Sequence, residues 1–345
     1  MSKNILITGG AGFIGSNFAR HIYNKYPDYK ILVLDALTYA GSIDNLPVDI
    51  NKNDNDRLSF WYGDVKDPVL VDALVSKSDM VVHFAAETHV TRSIYDNYFF
   101  FETDVMGTQI IASSVVKHRD TVERFAHIST SEVYGTAQAE LMSEDHPLIP
   151  RSPYAAAKLG GDRLVYSFWA TYDIPAVIVR PFNNYGPFQH LEKAVPRFIT
   201  NCLVNEKLRV HGDGSAQRDF IFVEDTCAAI DAILHADIKK VKGEIFNLAS
   251  GESRSIGSVA KDVVRLMNAD DSLISYIGDR PGQVFRHTGD ASKILRELNW
   301  KPAVQWEDGL ERTIKWYVDN QDWWRKQLWM RTVPVITGTG TTELH

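Results

Sequence analysis

Short apolar runs alternate with helix-patterned segments through the first half of the chain. The runs fall at 4–8, 31–35, 58–63, 79–85, 124–130 and 175–180. Strands spaced by helices in this rhythm predict an α/β fold, a doubly wound parallel sheet of Rossmann type. Ligands of such sheets sit beyond the carboxyl ends of the strands. Gly9, Asp35, Asp64, Ala85, Ser129 and Asn183 each fall at such an end and are expected to converge on one crevice. Beyond Phe188 the order loosens. Helical patterns near 193–205, 224–236, 256–267 and 291–298, with short strands near 208–211 and 244–248, predict a smaller C-terminal substrate lobe. The expected division is 1–187 and 188–330, crossed more than once, because the apolar run Glu244–Leu248 can rejoin the main sheet. The low-complexity segment within 331–345 is expected to fray.

Composition narrows the class. The 345 residues are 44% hydrophobic and 23% charged, enough apolar side chain for a sizeable core. A net charge of -7 gives no electrostatic footprint for nucleic acid or an anionic membrane. Cys202 and Cys227 are too few for a disulfide framework, lack metal-ligand spacing, and read as small buried hydrophobes. His83, His89, His118 and His127 have no regular ligand spacing, so they read as core or solvated histidines and no metal is expected. No run reaches membrane-spanning length and the N-terminal apolar stretch reads as the first strand, so the cytoplasm is the expected location. Asp49–Arg57, rich in Asn and Asp, reads as a solvated loop, and Trp316, Trp323, Trp324 and Trp329 as packing residues of a helical segment.

Two motifs carry chemistry. Thr8-Gly9-Gly10-Ala11-Gly12-Phe13-Ile14-Gly15 leaves a strand and opens a helix, the setting in which backbone amides receive a pyrophosphate. Glycines alone would serve any tight turn of this kind. Asp35, twenty residues beyond Gly15 at the end of the next apolar run, adds a carboxylate that can bind a ribose 2′-hydroxyl and would repel a 2′-phosphate. NAD is therefore expected over NADP. The second motif is Tyr154-Ala155-Ala156-Ala157-Lys158, whose Tyr and Lys share a helix face opened by Ser152-Pro153. The Lys158 charge, with the positive nicotinamide ring, is expected to draw the Tyr154 pKa toward neutrality so that it acts as a base on a sugar or alcohol hydroxyl. Ser129-Thr130-Ser131-Glu132-Val133-Tyr134-Gly135 presents hydroxyls and a carboxylate directly after another strand.

Taken with Asp35–Gly41, His83–Val90, Asn183-Asn184-Tyr185-Gly186-Pro187, Glu192-Lys193, Gly212-Asp213-Gly214, Arg218-Asp219 and Arg280-Pro281-Gly282, these motifs strongly resemble the extended short-chain dehydrogenase/reductase family. Within it they are similar to the nucleotide-sugar 4,6-dehydratases, over about residues 3–320. The resemblance implies a cofactor site of Gly9, Gly12, Phe13, Ile14, Gly15, Asp35, Thr38, Asp64, Val65, Ala85, Ala86, Thr88, Thr103, Ser129, Tyr154 and Lys158. It implies a nucleotide-sugar site of Thr88, Thr130, Asn183, Lys193, Arg209, His211, Arg218, Asn247 and Arg280, with arginines suited to a diphosphate. Thr130, Ser131, Glu132, Tyr154 and Lys158 take the catalytic positions. The implied reaction oxidises C4, removes the C5 proton through Glu132, expels water from C6 and returns the hydride. Helices near 98–118 and 153–172 match those through which family members pair as homodimers in a four-helix bundle.

The chain departs from that pattern at Ser131, where a typical dehydratase has the Asp that protonates the departing hydroxyl, and at Thr91, where close dehydratases carry Asp. Loss of a general acid costs about 10²- to 10⁴-fold in rate. Both departures remove a carboxylate near the expected hexose and leave a 5,6-dehydratase, forming an exo-ene on a UDP-sugar such as UDP-N-acetylglucosamine, as an alternative. Thr130-Ser131-Glu132 and Arg180 also resemble UDP-glucuronate decarboxylases. A non-catalytic NAD or nucleotide-sugar sensor would not need Tyr154, Lys158 and Glu132 together.

Overall fold

The computed structural model describes residues 2–52, 56–278, 284–332, 334–336 and 342–344. Its first half supplies β1 (Asn4–Thr8), β2 (Lys30–Asp35), β3 (Leu58–Tyr62), β4 (Met80–His83), β5 (Arg124–Ile128) and β6 (Ala176–Pro181). Between them run α1 (Phe13–Lys25), α2 (Pro68–Val75), α3 (Val90–Tyr95), α4 (Tyr98–Phe101), α5 (Thr108–Lys117) and α6 (Pro153–Tyr172). Local chemistry sets the starts. Asp67 accepts hydrogen bonds from the Val69 and Leu70 amides ahead of α2, and Ser152 accepts one from Ala155 ahead of α6, each with Pro at the first helical position. A π-helical turn, Glu102–Gly107, joins α4 to α5.

The second half supplies β7 (Asn183–Tyr185), α7 (Ala194–Leu203), β8 (Leu208–His211), β9 (Gln217–Phe222), α8 (Val223–His235), α9 (Ile238–Val241) and β10 (Ile245–Leu248). After these come β11 (Ser253–Ser255), α10 (Ile256–Leu266), β12 (Ile274–Ile277), β13 (Arg286–His287), α11 (Ser292–Leu298), α12 (Trp306–Asp319) and α13 (Gln321–Arg325). The seven-stranded parallel sheet has the order β10-β6-β5-β4-β1-β2-β3. Strand order reverses between β1 and β4, and that switch point opens the crevice.

Successive residues of β1 alternate between two cores. Ile5 and Ile7 pack with Phe18 and Ile22 of α1 and Ile230 and Ile233 of α8, while Leu6 packs opposite with Ile111 of α5, Phe125 and Val165 of α6. Burying each such side chain contributes roughly 1.5–3 kcal/mol. Both faces of the sheet are covered, which is why every residue of β4, β5 and β6 is buried, with no alternation of exposed positions. A third core, with Tyr185, Phe198, Phe222, Val263, Leu310 and Trp324, builds the lobe. The chain passes back to the main body after entering the lobe: α8 covers the sheet and β10 extends it beside β6.

Three expectations need correction. Trp329 is not a packing residue: it lies in a short 3-10 turn, 76% exposed, while Trp324 is buried. Cys202, beside the lobe core, is only partly buried; Cys227 is fully so. Pro334–Ile336 and Thr342–Leu344 pair as an antiparallel ladder where fraying was expected, and the residues between them lie outside the described ones.

Candidate active site

The glycine turn is fixed by close backbone approach. Gly9 has φ 66°, and a Cβ there would stand 2.5 Å from the Ala85 nitrogen. A Cβ on Gly15 would stand 2.3 Å from the Gly9 carbonyl oxygen. Gly12 caps α1 without a side chain, so the first amides of that helix open toward the crevice. Asp35 accepts from the Ala11 amide at 2.9 Å and the Leu37 amide at 2.8 Å, which ties the end of β2 to the glycine turn. Burial raises its carboxyl pKa and these amide bonds oppose the rise.

A cavity of about 450 Å³ begins here and runs under the lobe. Gly9, Gly12, Phe13, Ile14, Gly15, Asp35, Thr38, Asp64, Val65, Ala85, Ala86, Thr88, Thr103, Ser129, Tyr154 and Lys158 all line it. So do Thr130, Ser131, Glu132, Asn183, Lys193, His211 and Arg218. Two expected ligand residues do not. Arg209 lines a separate basic cavity with Arg197 and Arg331. Asn247 is fully buried behind the site, its amide nitrogen donating to the Met142 carbonyl and its oxygen accepting from Tyr134 at 2.7 Å, so it has no donor left for a sugar. Arg280 lies outside the described residues. Thr91 is buried in α3 and does not line the cavity.

Lys158 is buried and donates to the Ile128 carbonyl at 2.8 Å, which fixes it under the end of β5. Burial lowers its pKa, and the carboxylates of Asp104 and Asp162 oppose that. Tyr154 departs from the expected acidification: burial raises its pKa, Asp104 and Glu132 raise it further, and only the hydrogen bond with Thr130 lowers it. The Thr130 hydroxyl also accepts from the Glu132 amide at 3.2 Å. Its single proton is thereby aimed at Tyr154 or at an oxygen lying beside it.

The cavity's far wall is a charged cluster. Glu192 accepts from the Tyr39 hydroxyl at 2.9 Å and lies 3.5 Å from the Lys193 ammonium, while Lys193 donates to the Thr88 carbonyl. Burial alone would raise the Glu192 pKa, but Lys193, His89, His190 and Arg92 bring it to about 2. Glu87, also on the cavity, is pushed up to about 7 by burial and by Glu192.

Sequence reading missed Asp104 and His287 and gave Glu192 no role. Asp104 is fully buried in the π-helical turn, accepting from the Glu87 amide with one carboxylate oxygen and, among the described residues, making no hydrogen bond with the other. Its only sequence signal is an acid in an apolar helix, and the π turn that aims it inward leaves no periodic trace. His287 stands in a segment without periodicity and is brought to Glu132 by tertiary pairing.

A dinucleotide cradle at a switch point, joined to a Thr130, Tyr154 and Lys158 cluster on one cavity, defines a short-chain dehydrogenase/reductase of the extended class. The family described as GDP-mannose 4,6 dehydratase matches residues 6–313, and the chain belongs to it. It is 42% identical over 320 residues to the low-salt glycan biosynthesis protein Agl12 of Haloferax volcanii, covering 92% of this chain and 100% of that one. It is 40% identical over 325 residues to dTDP-glucose 4,6-dehydratase of Streptomyces niveus, covering 93% and 94%. The crystal structure of DesIV, a dTDP-glucose 4,6-dehydratase from Streptomyces venezuelae solved with NAD bound, superposes with a TM-score of 0.88 at 39% identity, covering 94% of this chain and 99% of that one.

Proposed function

We propose that this chain is an NAD-dependent nucleotide-sugar 4,6-dehydratase that yields a 4-keto-6-deoxy sugar. The observation that carries the reading is Glu132 on the same cavity wall as Tyr154, near enough for its charge to raise the Tyr154 pKa. Oxidation at C4 and inversion alone would have no use for that carboxylate; elimination needs it.

The residues present suit NAD: a glycine cradle that a Cβ would fill, uncapped amides of α1, and Asp35 at the ribose position. When bound, NAD supplies the acceptor for the C4 hydride and its donor back to the sugar. Tyr154 takes the proton of the 4-hydroxyl, and the Thr130 hydroxyl donates to the oxygen left at C4. The raised Tyr154 pKa makes the positive charge of an oxidised nicotinamide, together with buried Lys158, the remaining means of favouring phenolate. The ketone acidifies the C5 proton, Glu132 removes it, and the 6-hydroxyl departs as water. Lys193, His211 and Arg218 are the cationic or hydrogen-bonding groups of the lobe that can receive the diphosphate and base.

Arg180, which favoured a decarboxylase in the sequence, is spent on Asp162 inside the core and cannot meet a sugar carboxylate. Thr91 lies off the cavity, so Ser131 alone remains as a change at the hexose, which weakens the case for a 5,6-ene. The test is mass spectrometry of the purified protein with dTDP-glucose, UDP-glucose, UDP-N-acetylglucosamine and UDP-glucuronate in parallel. Loss of one water from a neutral hexose supports the proposal; loss of carbon dioxide from UDP-glucuronate, or no change in any sugar, refutes it.

We also propose a homodimer. Tyr98, Phe99, Phe101 and Met106 on the α4–α5 segment and Tyr166 on α6 are large hydrophobic side chains exposed in the single chain, which supports an interface there. Elution at 39.0 kDa in gel filtration would refute pairing. No described helix is long and apolar enough to cross a membrane. Cys202 and Cys227 are both free thiols, in keeping with the cytoplasmic location we propose.

A further inference from the structure

His287 is fully buried, directly behind Glu132 and off the cavity wall. Its placement is over-determined. β13 pairs with β9 so that His287 stands beside Arg218, the Thr288 carbonyl accepts from the Met142 amide at 2.8 Å, and the Gly289 amide donates to Asp219 at 3.1 Å. The ring packs edge-on against Phe182. Its Nε2 is hydrogen-bonded to the Gly135 carbonyl, which can only accept, so that nitrogen carries the proton. Nδ1 of the neutral ring is then a lone pair. Among the described residues it makes no hydrogen bond, and it faces Glu132 Oε1 at 3.8 Å.

A buried imidazole with one nitrogen locked as donor and the other turned toward a catalytic carboxyl is arranged to receive that carboxyl's proton. We infer that His287 is a positioning residue for Glu132, and that the pair lets one carboxyl serve as base and then as acid where Ser131 supplies no acid. The inference rests on the dehydratase reading. The C5–H bond breaks and its proton passes to Glu132, whose Oε1 closes from 3.8 Å to hydrogen-bond distance to share it with His287 Nδ1. The C6–O bond then breaks, the departing hydroxyl takes that proton from Glu132, and water leaves with carboxylate and neutral imidazole restored. The proton removed at C5 is the one delivered at C6, so elimination requires no further acid; Glu132, reprotonated from solvent, then returns a proton to C5 as the hydride is returned to C6.

Among the described residues, the charged and titratable groups acting on the ring are Glu132 on the 3-10 turn Ser131–Tyr134, Arg218 on β9 and His146 on the loop before α6. Burial, Arg218 and His146 hold the imidazole below its ordinary range, while Glu132 opposes them. It therefore stays neutral at neutral pH, its Nδ1 lone pair unprotonated.

The test uses full-length enzyme and whichever nucleotide hexose it dehydrates. In His287→Phe, which keeps a planar ring and removes both nitrogens, C4 oxidation should persist, seen as sugar-dependent absorbance of reduced nicotinamide. Product formation and C5 exchange with deuterated solvent should fall about 10²-fold with KM held within about threefold. The acidic limb of kcat against pH, which reports the pair, should move. Adding Ser131→Asp to that variant should recover at least about tenfold. His287→Gln, which retains a polar group but takes up no proton, should behave as His287→Phe does. Dehydration and exchange unaltered in both variants overturn the inference alone. Loss of C4 oxidation together with elimination in both, unrelieved by Ser131→Asp, also overturns it by reducing His287 to a packing role. If the unmodified enzyme releases no water from any nucleotide hexose, the dehydratase reading fails and the inference with it.

Discussion

Arg180 and Asp162 meet inside the protein through two parallel hydrogen bonds, Nε to Oδ2 at 2.9 Å and Nη2 to Oδ1 at 3.0 Å. Arg180 also donates to the Tyr134 hydroxyl at 3.0 Å, and Tyr134 donates to Asn247. This chain of contacts fastens β6 and α6 to the loop that carries Glu132. Asn247, which the resemblance placed against substrate, and Arg180, which resembled the decarboxylases, are thus parts of the frame. Arg180→Met removes both of these bonds and leaves buried Asp162 with Arg163, whose Nε donates to it at 2.8 Å, so it should cost about 1.5–3 kcal/mol of stability in denaturant unfolding. A variant as stable as the parent would show that the pair contributes nothing.

Gly15→Ala tests the cradle. Its Cβ would stand 2.3 Å from the Gly9 carbonyl oxygen, a backbone atom that cannot rotate away. NAD affinity, read by fluorescence titration, should fall at least about tenfold while the fold persists. Unchanged affinity would remove the glycine turn from the cofactor site.

Asp104→Asn tests how Tyr154 is tuned. The Asp104 carboxylate raises the Tyr154 pKa, second only to burial. Since Tyr154 acts deprotonated, activity rises with pH through its apparent pKa, and removing the Asp104 charge should shift that limb to lower pH. A shift to higher pH would mean that Asp104 acts chiefly by sustaining the Lys158 charge.

Asp231 ties α8 to α1, accepting from His21 at 2.7 Å, Lys25 at 2.6 Å and Tyr26 at 2.8 Å. Burial would raise its pKa, but bonds from His21, His235, Lys25 and Tyr26 hold it far below the usual range. The stability this gives is complete above the ordinary Asp value of about 4 and is lost as pH falls below it. His235 is the reverse case: burial lowers its pKa, yet Asp231 raises it above the ordinary value. Its contribution is complete below about pH 6.5 and is lost as pH rises through the raised value. Unfolding free energy should therefore peak between about pH 4 and 6.5 from this cluster, and Asp231→Asn should flatten both limbs. Identical pH dependence in parent and variant would refute the linkage.

The fold was legible because β1, β2, β4, β5 and β6 are buried or half-buried over most of their length and announce themselves as predominantly apolar runs. The crevice was legible because Gly9, Asp35, Ala85, Ser129 and Asn183 each end a strand, and topology brings strand ends together. What escaped the sequence depends on tertiary geometry. Asp104 faces inward only because a π turn rotates it, and His287 reaches Glu132 only because β13 pairs with β9. Asn247 shows the converse error. It lies near the carboxyl end of a strand, as Asn183 lies just beyond that of β6, but its strand is at the edge of the sheet, and its side chain turns into the frame rather than the crevice. The Tyr154 shift was misjudged because spacing reveals the Lys158 charge but not the burial that outweighs it.

The central claim is that Glu132 takes the C5 proton and that water then leaves C6. Turnover of the preferred nucleotide hexose in deuterated water, followed by mass spectrometry and proton NMR, tests it most directly. The account predicts a product that has lost one water and carries one solvent deuterium at C5, with both features absent in Glu132→Gln. A product that has lost water with no deuterium at C5, or a Glu132→Gln enzyme that still exchanges C5 rapidly, would contradict it.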